Sequence, residues 1–459
     1  MCTSFDAIII GAGQAGPSLA GRLTATGMKV ALVEREFLGG TCVNTGCTPT
    51  KTLVASAYAA HMARRAAEYG VKITGDVEID MRAVKARKDA VMLKSRNGLE
   101  AWLGGMQGCT VYRRHGRFIA PHELDIGGET LSAERIFINV GGRALLPQMR
   151  GIDQVSVLTN TSILELDSLP RHLVVIGGSY IGLEFAQIYR RFGSRVTVVE
   201  KGPRLIQRED EDLSAAVKDI VENEGIAVRL AAECISFAPR GEDVAVGVDC
   251  RAGDPEITGS HVLVAVGRRP NTDDLGLDKA GVAVDPHGYI LVDDKLATNV
   301  PGIWALGDCN GKGAFTHTAY NDFEIVAANL LDREPRRVSE RSTAYALYID
   351  PPLGRVGFGE DEARRSGHKI RVGKRPMTRV SRAVEKGETQ GFMKVVVDAE
   401  TDAILGAAIL GVGGDEAIHG ILDMMHAKMP YRSLQHAVHI HPTVSELIPT
   451  VLGELGPAG

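Results

Sequence analysis

Phe5-Asp6-Ala7-Ile8-Ile9-Ile10-Gly11-Ala12-Gly13-Gln14-Ala15-Gly16 is the stretch that decides the fold class of this 459-residue chain. Residues 5–10 are apolar with almost no alternation, as expected of a strand buried on both faces. Three glycines in GxGxxG spacing follow. The first permits a tight turn, the second lets a pyrophosphate approach the backbone, and the third lets a helix pack on the strand. A helix running to about Gly27 then presents its N-terminus to the phosphates, and a second strand is expected over 29–33. Glu34 closes the unit 23 residues beyond Gly11, where a carboxylate can accept from both ribose hydroxyls. A glycine-rich turn alone is common. Strand, glycines, helix, strand and acid in that order carry the reading.

The unit occurs twice. Residues 172–176 form a second buried strand, followed by Gly177-Gly178-Ser179-Tyr180-Ile181-Gly182, a helix to Gly193, a strand over 195–199, and Glu200. Glu200 again lies 23 residues past the opening glycine, and Gly193 lies 16 past it, as Gly27 does past Gly11. Ser179 replaces the middle glycine and is small enough to keep the approach close. The matched offsets point to two nucleotide sites. The alternative is one site plus a structural βαβ unit.

Between the first unit and the second lies Gly39-Gly40-Thr41-Cys42-Val43-Asn44-Thr45-Gly46-Cys47-Thr48-Pro49-Thr50-Lys51. Two cysteines stand there with four residues between them, at the expected start of a helix that continues as an alanine-rich run over 51–65. Pro49 suits a first helical turn because it lacks the N–H that would be unpaired there. Such a pair can be a structural disulfide, half a metal site, or a redox couple. The seven cysteines (2, 42, 47, 109, 234, 250, 309) are otherwise scattered, which argues against an oxidising compartment and a structural bridge. A closed zinc site wants four ligands, and no second pair supplies them. A redox couple is the better reading, since a helix N-terminus favours the thiolate.

Composition narrows the rest. Hydrophobic residues make up 44% and charged residues 24%, with a formal net charge of −5. That gives no basic field for nucleic acid and no polybasic membrane patch. No apolar run is long enough to span a membrane, and a cytoplasmic location is expected. Further elements are expected over 80–103 (helix), 110–119 and 135–140 (strands), 211–224 (helix), 244–249 and 262–266 (strands) and 319–330 (helix). The C-terminal part changes character, with strands over 392–397 and 404–410 and helices over 415–426 and 443–452, as in a separate α+β domain. There, His439-Ile440-His441-Pro442-Thr443-Val444-Ser445-Glu446 supports two readings. Thr443 and Glu446 fit a capping box. Equally, an imidazole oriented by a carboxylate can shuttle a proton to and from a thiol. The two readings are compatible.

With these pieces in place the chain resembles the flavoprotein disulfide reductases, the family of dihydrolipoamide dehydrogenase, glutathione reductase and mercuric reductase. The resemblance spans essentially the full length and rests on GxGxxG at Gly11, GGTCVNTGCTPTK at 39–51, GGSYIGLE at 177–184, VGRRPNT at 266–272, ALGD at 305–308 and HIHPTVSE at 439–446. It implies an α/β fold with two Rossmann-like nucleotide-binding domains and a C-terminal α+β dimerisation domain. FAD would occupy 1–150 and 271–340, NAD(P) 151–270, and the dimer contact 341–459.

By that resemblance Gly11, Gly13, Gly16, Glu34, Gly40, Thr41, Lys51, Gly116, Gly141 and Asp308 hold FAD, and Gly177, Gly182, Glu200 and Gly267 hold the nicotinamide cofactor. Lys51 and Glu184 resemble the ion pair beside the flavin, and Tyr180 the tyrosine that gates nicotinamide entry. No metal ligand set is implied. A hydride would pass from NAD(P)H to FAD, and the reduced flavin would open a Cys42–Cys47 disulfide through Cys47. Cys42 would then attack a small-molecule or lipoyl-type disulfide while His441, steadied by Glu446, protonates the departing thiolate. In the family each site takes its His–Glu pair from the partner of a homodimer.

NADH is favoured because Glu200 would face a 2′-phosphate with like charge, although Lys201 and Arg204 stand close enough to keep NADPH open. The chain departs from mercuric reductases in ending without a cysteine pair, and from glutathione reductase in placing Glu200 where arginine stands. Reduction of mercuric ion, another metal ion or a quinone is the alternative within the enzyme class. An FAD-binding electron-transfer or structural subunit is the alternative outside it.

Overall fold

The computed structural model describes residues 2–233, 235–249 and 254–457, so Cys234 and Cys250 lie outside the described residues. The strand Cys2–Ile10 is the axis of the first sheet. Its inner half, Ala7 to Ile10, is buried, and it pairs in parallel with Val30–Val33 on one side and Thr130–Ile138 on the other. Cys109–Tyr112 extends one edge, and the antiparallel strands Glu123–Asp125 and Arg117–Ala120 extend the other. Ile303–Ala305 returns after the second nucleotide unit to pair in parallel with Thr130–Ile138. The chain therefore leaves the first sheet, builds a second, and comes back.

The second sheet is parallel, in the order Ala227–Arg229, Arg195–Val199, His172–Ile176, His261–Val264. Each of the five residues of His172–Ile176 is buried, as its apolar run requires. A separate antiparallel sheet of six strands forms the C-terminal part, with Ile404–Leu410 and Phe392–Asp398 near its centre. The fold is the expected one: two Rossmann-like units and a C-terminal α+β unit.

Several element bounds differ from expectation for physical reasons. The helix whose first turn Pro49 marks and which the run 51–65 continues is Cys47–Arg64, so Cys47 is its first residue. The helix expected over 443–452 is a 3-10 turn, Ser445–Leu447, followed by Ile448–Gly453. Pro449 explains this, since a helix begun at Thr443 would place its ring and missing N–H in the interior. The helix expected over 415–426 is divided at Ile418, where the Ile421 N–H reaches back only three residues, to Ile418. The strand expected to end at residue 140 ends at Ile138. Past it, the Asn139 carbonyl packs against the first glycine turn.

Candidate active site

The two glycine turns have the same construction. Gly11 has φ +102°, and a Cβ there would fall 2.2 Å from the Asn139 carbonyl oxygen. Gly177 has φ +114°, and its Cβ would fall 2.4 Å from the Ala265 carbonyl oxygen. The third glycine of each turn packs on the first: a Cβ at Gly16 would meet the Gly11 oxygen at 2.4 Å, and one at Gly182 the Gly177 oxygen at 2.1 Å. Each closing acid reaches its own turn. Glu34 accepts from the Ala12 N–H at 2.8 Å, and Glu200 from the Gly178 N–H at 2.7 Å. Glu200 also accepts from the Gly202 N–H at 2.7 Å and from Gln207 at 3.0 Å. A backbone that leaves no room for a Cβ at the first and third glycine of each turn, backed by a fixed carboxylate, fits a dinucleotide at both places.

Both turns open into one cavity of about 1980 Å³ that also reaches the two cysteines. Gly13, Thr41, Gly116, Gly141, Gly267 and Asp308 line it as well. Gly40 lies against Gly13, where a Cβ would come within 2.8 Å of the Gly13 Cα. Burial raises the Asp308 carboxyl above its ordinary range, against the opposing pull of Arg268 at 3.5 Å.

Cys42 and Cys47 are both free thiols. Their hydrogen bond to one another dominates both acidities. It lowers Cys47 to about 6 and raises Cys42. The Thr316 hydroxyl, 3.2 Å from the Cys47 Sγ, and the Lys51 ammonium push Cys47 the same way, with burial opposing. Lys51 stands one helical turn beyond Cys47 and bonds Glu184 at 2.7 Å. The other oxygen of Glu184 accepts from the Tyr348 N–H at 3.0 Å. Cys47 therefore heads a helix with a cation on its inner face, an arrangement that stores a thiolate at neutral pH.

His441 and Glu446 form the expected pair: Nδ1 lies 2.8 Å from the carboxylate. Thr443 accepts from the Glu446 N–H at 3.2 Å, so the threonine caps the turn while the glutamate side chain serves the histidine. The pair does not line the chain's own cavity. The His441 side chain is 73% exposed, and its neighbours Val438 and Ile440 are 100% and 80% exposed.

Three further side chains belong to the site without a sequence signal that marks them: Thr316, Tyr345 and Glu209. Tyr180 lines the cavity and donates to Glu209 at 2.9 Å, and Tyr345 donates to the same Glu209 oxygen at 2.8 Å. Glu209 sits in the run Arg208-Glu209-Asp210-Glu211-Asp212, which reads as solvated, yet it is buried. Asp210, Asp212 and Glu360 are the one metal-like acidic cluster among the described residues, and the buried Lys394 ammonium fills it at 2.6–3.0 Å. No described helix is long and apolar enough to cross a membrane.

Residues 5–322 match the family described as pyridine nucleotide-disulphide oxidoreductase, and residues 343–452 match the dimerisation domain of that family. The chain is 35% identical over 450 residues to the probable pyridine nucleotide-disulfide oxidoreductase RclA of Escherichia coli, covering 96% of this chain and 97% of that protein. It is 34% identical to the dihydrolipoyl dehydrogenase of Thermus scotoductus, covering 96% and 95%. A solved structure described as the Cu(II) complex of the HOCl-induced flavoprotein disulfide reductase RclA from Escherichia coli superposes with a TM-score of 0.89 at 33% identity. It covers 98% of this chain and 99% of that one.

Proposed function

The chain belongs to the pyridine nucleotide-disulphide oxidoreductases, a family dependent on FAD and NAD(P), and on that premise we propose that it reduces a disulfide substrate through Cys42 and Cys47, with NADH as the preferred donor. The observation that carries this reading is the Cys47 thiol, held near a pKa of 6 by Cys42, Thr316 and Lys51 within a cavity shared by both glycine turns. Bound FAD would supply the hydride acceptor and return the electron pair to the cysteines.

The chain's own residues bind and orient. The first glycine turn, Gly40, Thr41, Gly116, Gly141, Asp308 and Glu34 would cradle FAD, and the second turn with Glu200 and Gly267 would hold the nicotinamide dinucleotide. Lys51, fixed by Glu184, supplies positive charge beside Cys47. Cys42, once its proton has passed to the imidazole that serves the site, would attack the substrate sulfur as a thiolate, breaking the substrate S–S bond, forming a mixed disulfide and releasing one substrate thiolate. The Cys47 thiolate would then attack the Cys42 sulfur, closing the Cys42–Cys47 disulfide and releasing the second half of the substrate as a thiolate.

His441 would protonate the leaving thiolate in the partner subunit's site. Its pairing with Glu446 away from its own cavity, just past the exposed apolar residues Val438 and Ile440, supports a homodimer with this segment at the contact. The domain bounds proposed are 1–150 and 271–340 for FAD, 151–270 for NAD(P) and 341–459 for the dimer contact. The scattered cysteines support work in the cytoplasm. Co-expressing a Cys42→Ser chain with a His441→Ala chain tests the shared site. Mixed dimers regain one intact site from two inactive parents, and proven mixing without regained activity would contradict it.

A second reading, reduction of a metal ion by the same thiols, draws on the Cu(II) complex of the Escherichia coli relative. Turnover measured side by side on lipoamide, small-molecule disulfides, quinones, Cu(II) and mercuric ion separates the two readings.

A further inference from the structure

Glu209 is an unusual residue for its place. Its side chain has no exposure, one of its oxygens has no hydrogen-bond partner, and the other accepts from two tyrosines at once. The unpartnered oxygen lies 3.6 Å from the Nε of Arg355, itself buried. Unpaired buried carboxylate oxygens are costly and rare, so the arrangement calls for a reason.

Tyr180 is the first residue of the helix Tyr180–Phe192, directly after the second glycine turn. One helical turn along the same face, Glu184 bonds Lys51, and Lys51 stands one turn from Cys47. Tyr180 lines the cavity that joins the second glycine turn to the thiols, and a ligand extended between them would displace its ring. The bond to Glu209 opposes that movement, and Glu209 cannot follow. The adjoining Asp210 is tied to Lys394 and to the Glu360 N–H, each at 3.0 Å, and the Glu209 N–H is tied to the Ile206 carbonyl at 2.8 Å.

We propose that Glu209 and Tyr345 form a latch for Tyr180 and thereby set how readily a nicotinamide dinucleotide enters the inner cavity, a role that rests on the cofactor reading above. Glu209 is a positioning residue: it acts through Tyr180. Tyr345 makes the latch reversible. When Tyr180 swings out, the Tyr345 hydroxyl still satisfies the shared oxygen, so opening does not strand a second buried acceptor. The edge-to-face contact of the two tyrosine rings, 5.5 Å between centroids, gives Tyr180 a fixed seat to return to.

The latch makes predictions of opposite sign. Closure competes with dinucleotide binding, so the apparent affinity is reduced by the fraction closed. Glu209→Gln and Tyr180→Phe weaken closure and lower the Kd for NAD⁺, by about tenfold or more where one charge-assisted hydrogen bond is lost. The double variant binds like either single one, because the two changes remove the same bond. Tyr345→Phe raises the Kd, since opening then leaves the Glu209 oxygen unpaired. Calorimetric titration of the FAD-loaded protein with NAD⁺ measures all five proteins at equilibrium, without turnover. Shifts of the same sign in Glu209→Gln and Tyr345→Phe, multiplying effects in the double variant, or an unchanged Kd throughout would overturn the latch. Tight NAD⁺ binding by the wild-type protein with no response in the variants sinks the latch alone. No binding by the wild-type protein sinks the cofactor reading with it.

Discussion

The Thr316 hydroxyl oxygen lies 3.2 Å from the Cys47 sulfur, across 269 residues of chain. Thr316 opens the helix Thr316–Ala327, which follows the return of the chain to the first sheet, and Cys47 opens the helix Cys47–Arg64. Two helix starts from distant parts of the sequence thus meet at one thiol.

That contact makes the acidity of Cys47 a direct test of the site. With the midpoint near 6, the thiolate predominates above that pH and protonates below it. Following thiolate absorbance in the reduced protein, a titration near pH 6 should vanish in Cys47→Ser. Thr316→Ala removes a stabilising donor, so the midpoint should rise. Cys42→Ala removes the largest cause and should raise it further. An unmoved midpoint in both variants would contradict the assigned partners.

Glu446→Gln separates the two duties of the C-terminal turn. The threonine cap uses only the Glu446 backbone N–H, which the substitution keeps, so folding should be unaffected. The carboxylate on His441 is lost. General acid–base catalysis is worth about 100- to 10,000-fold, and loss of the orienting partner should cost part of that in disulfide turnover. Reduction of bound FAD by NADH should stay near wild type. Wild-type disulfide turnover would leave capping as the only role of this turn.

Cofactor preference follows from how Glu200 is held. Gly178, Gly202 and Gln207 fix it at the end of its strand, where a 2′-phosphate would meet like charge. The specificity constant for NADH should exceed that for NADPH by about tenfold or more, and Glu200→Gln should erode the ratio. Comparable constants for the two cofactors in the wild-type protein would defeat the argument.

The parts of the fold legible in sequence were those where geometry leaves few choices. Gly11 and Gly177 adopt positive φ and pack on a carbonyl, so the residue type announces the turn. The buried strands beside them are apolar without break. Lys394 and Glu209 were not legible, because charged residues read as solvated until the chain brings their partners from other elements. Tyr345 and Thr316 carry no local pattern at all, and only the return of the chain after the second nucleotide unit puts them beside Tyr180 and Cys47. Pro49 marks the first turn of the cysteine helix in the sequence, and the helix begins two residues before it, at Cys47.

Cys42 and Cys47 are proposed to carry electrons beyond the flavin. Anaerobic titration of the FAD-loaded, oxidised protein with a chemical reductant counts those electrons. The wild-type protein should take up twice as many per flavin as the Cys42→Ser, Cys47→Ser variant, because its disulfide accepts one further pair. Equal uptake by the two proteins would mean that the cysteines are not part of the redox path.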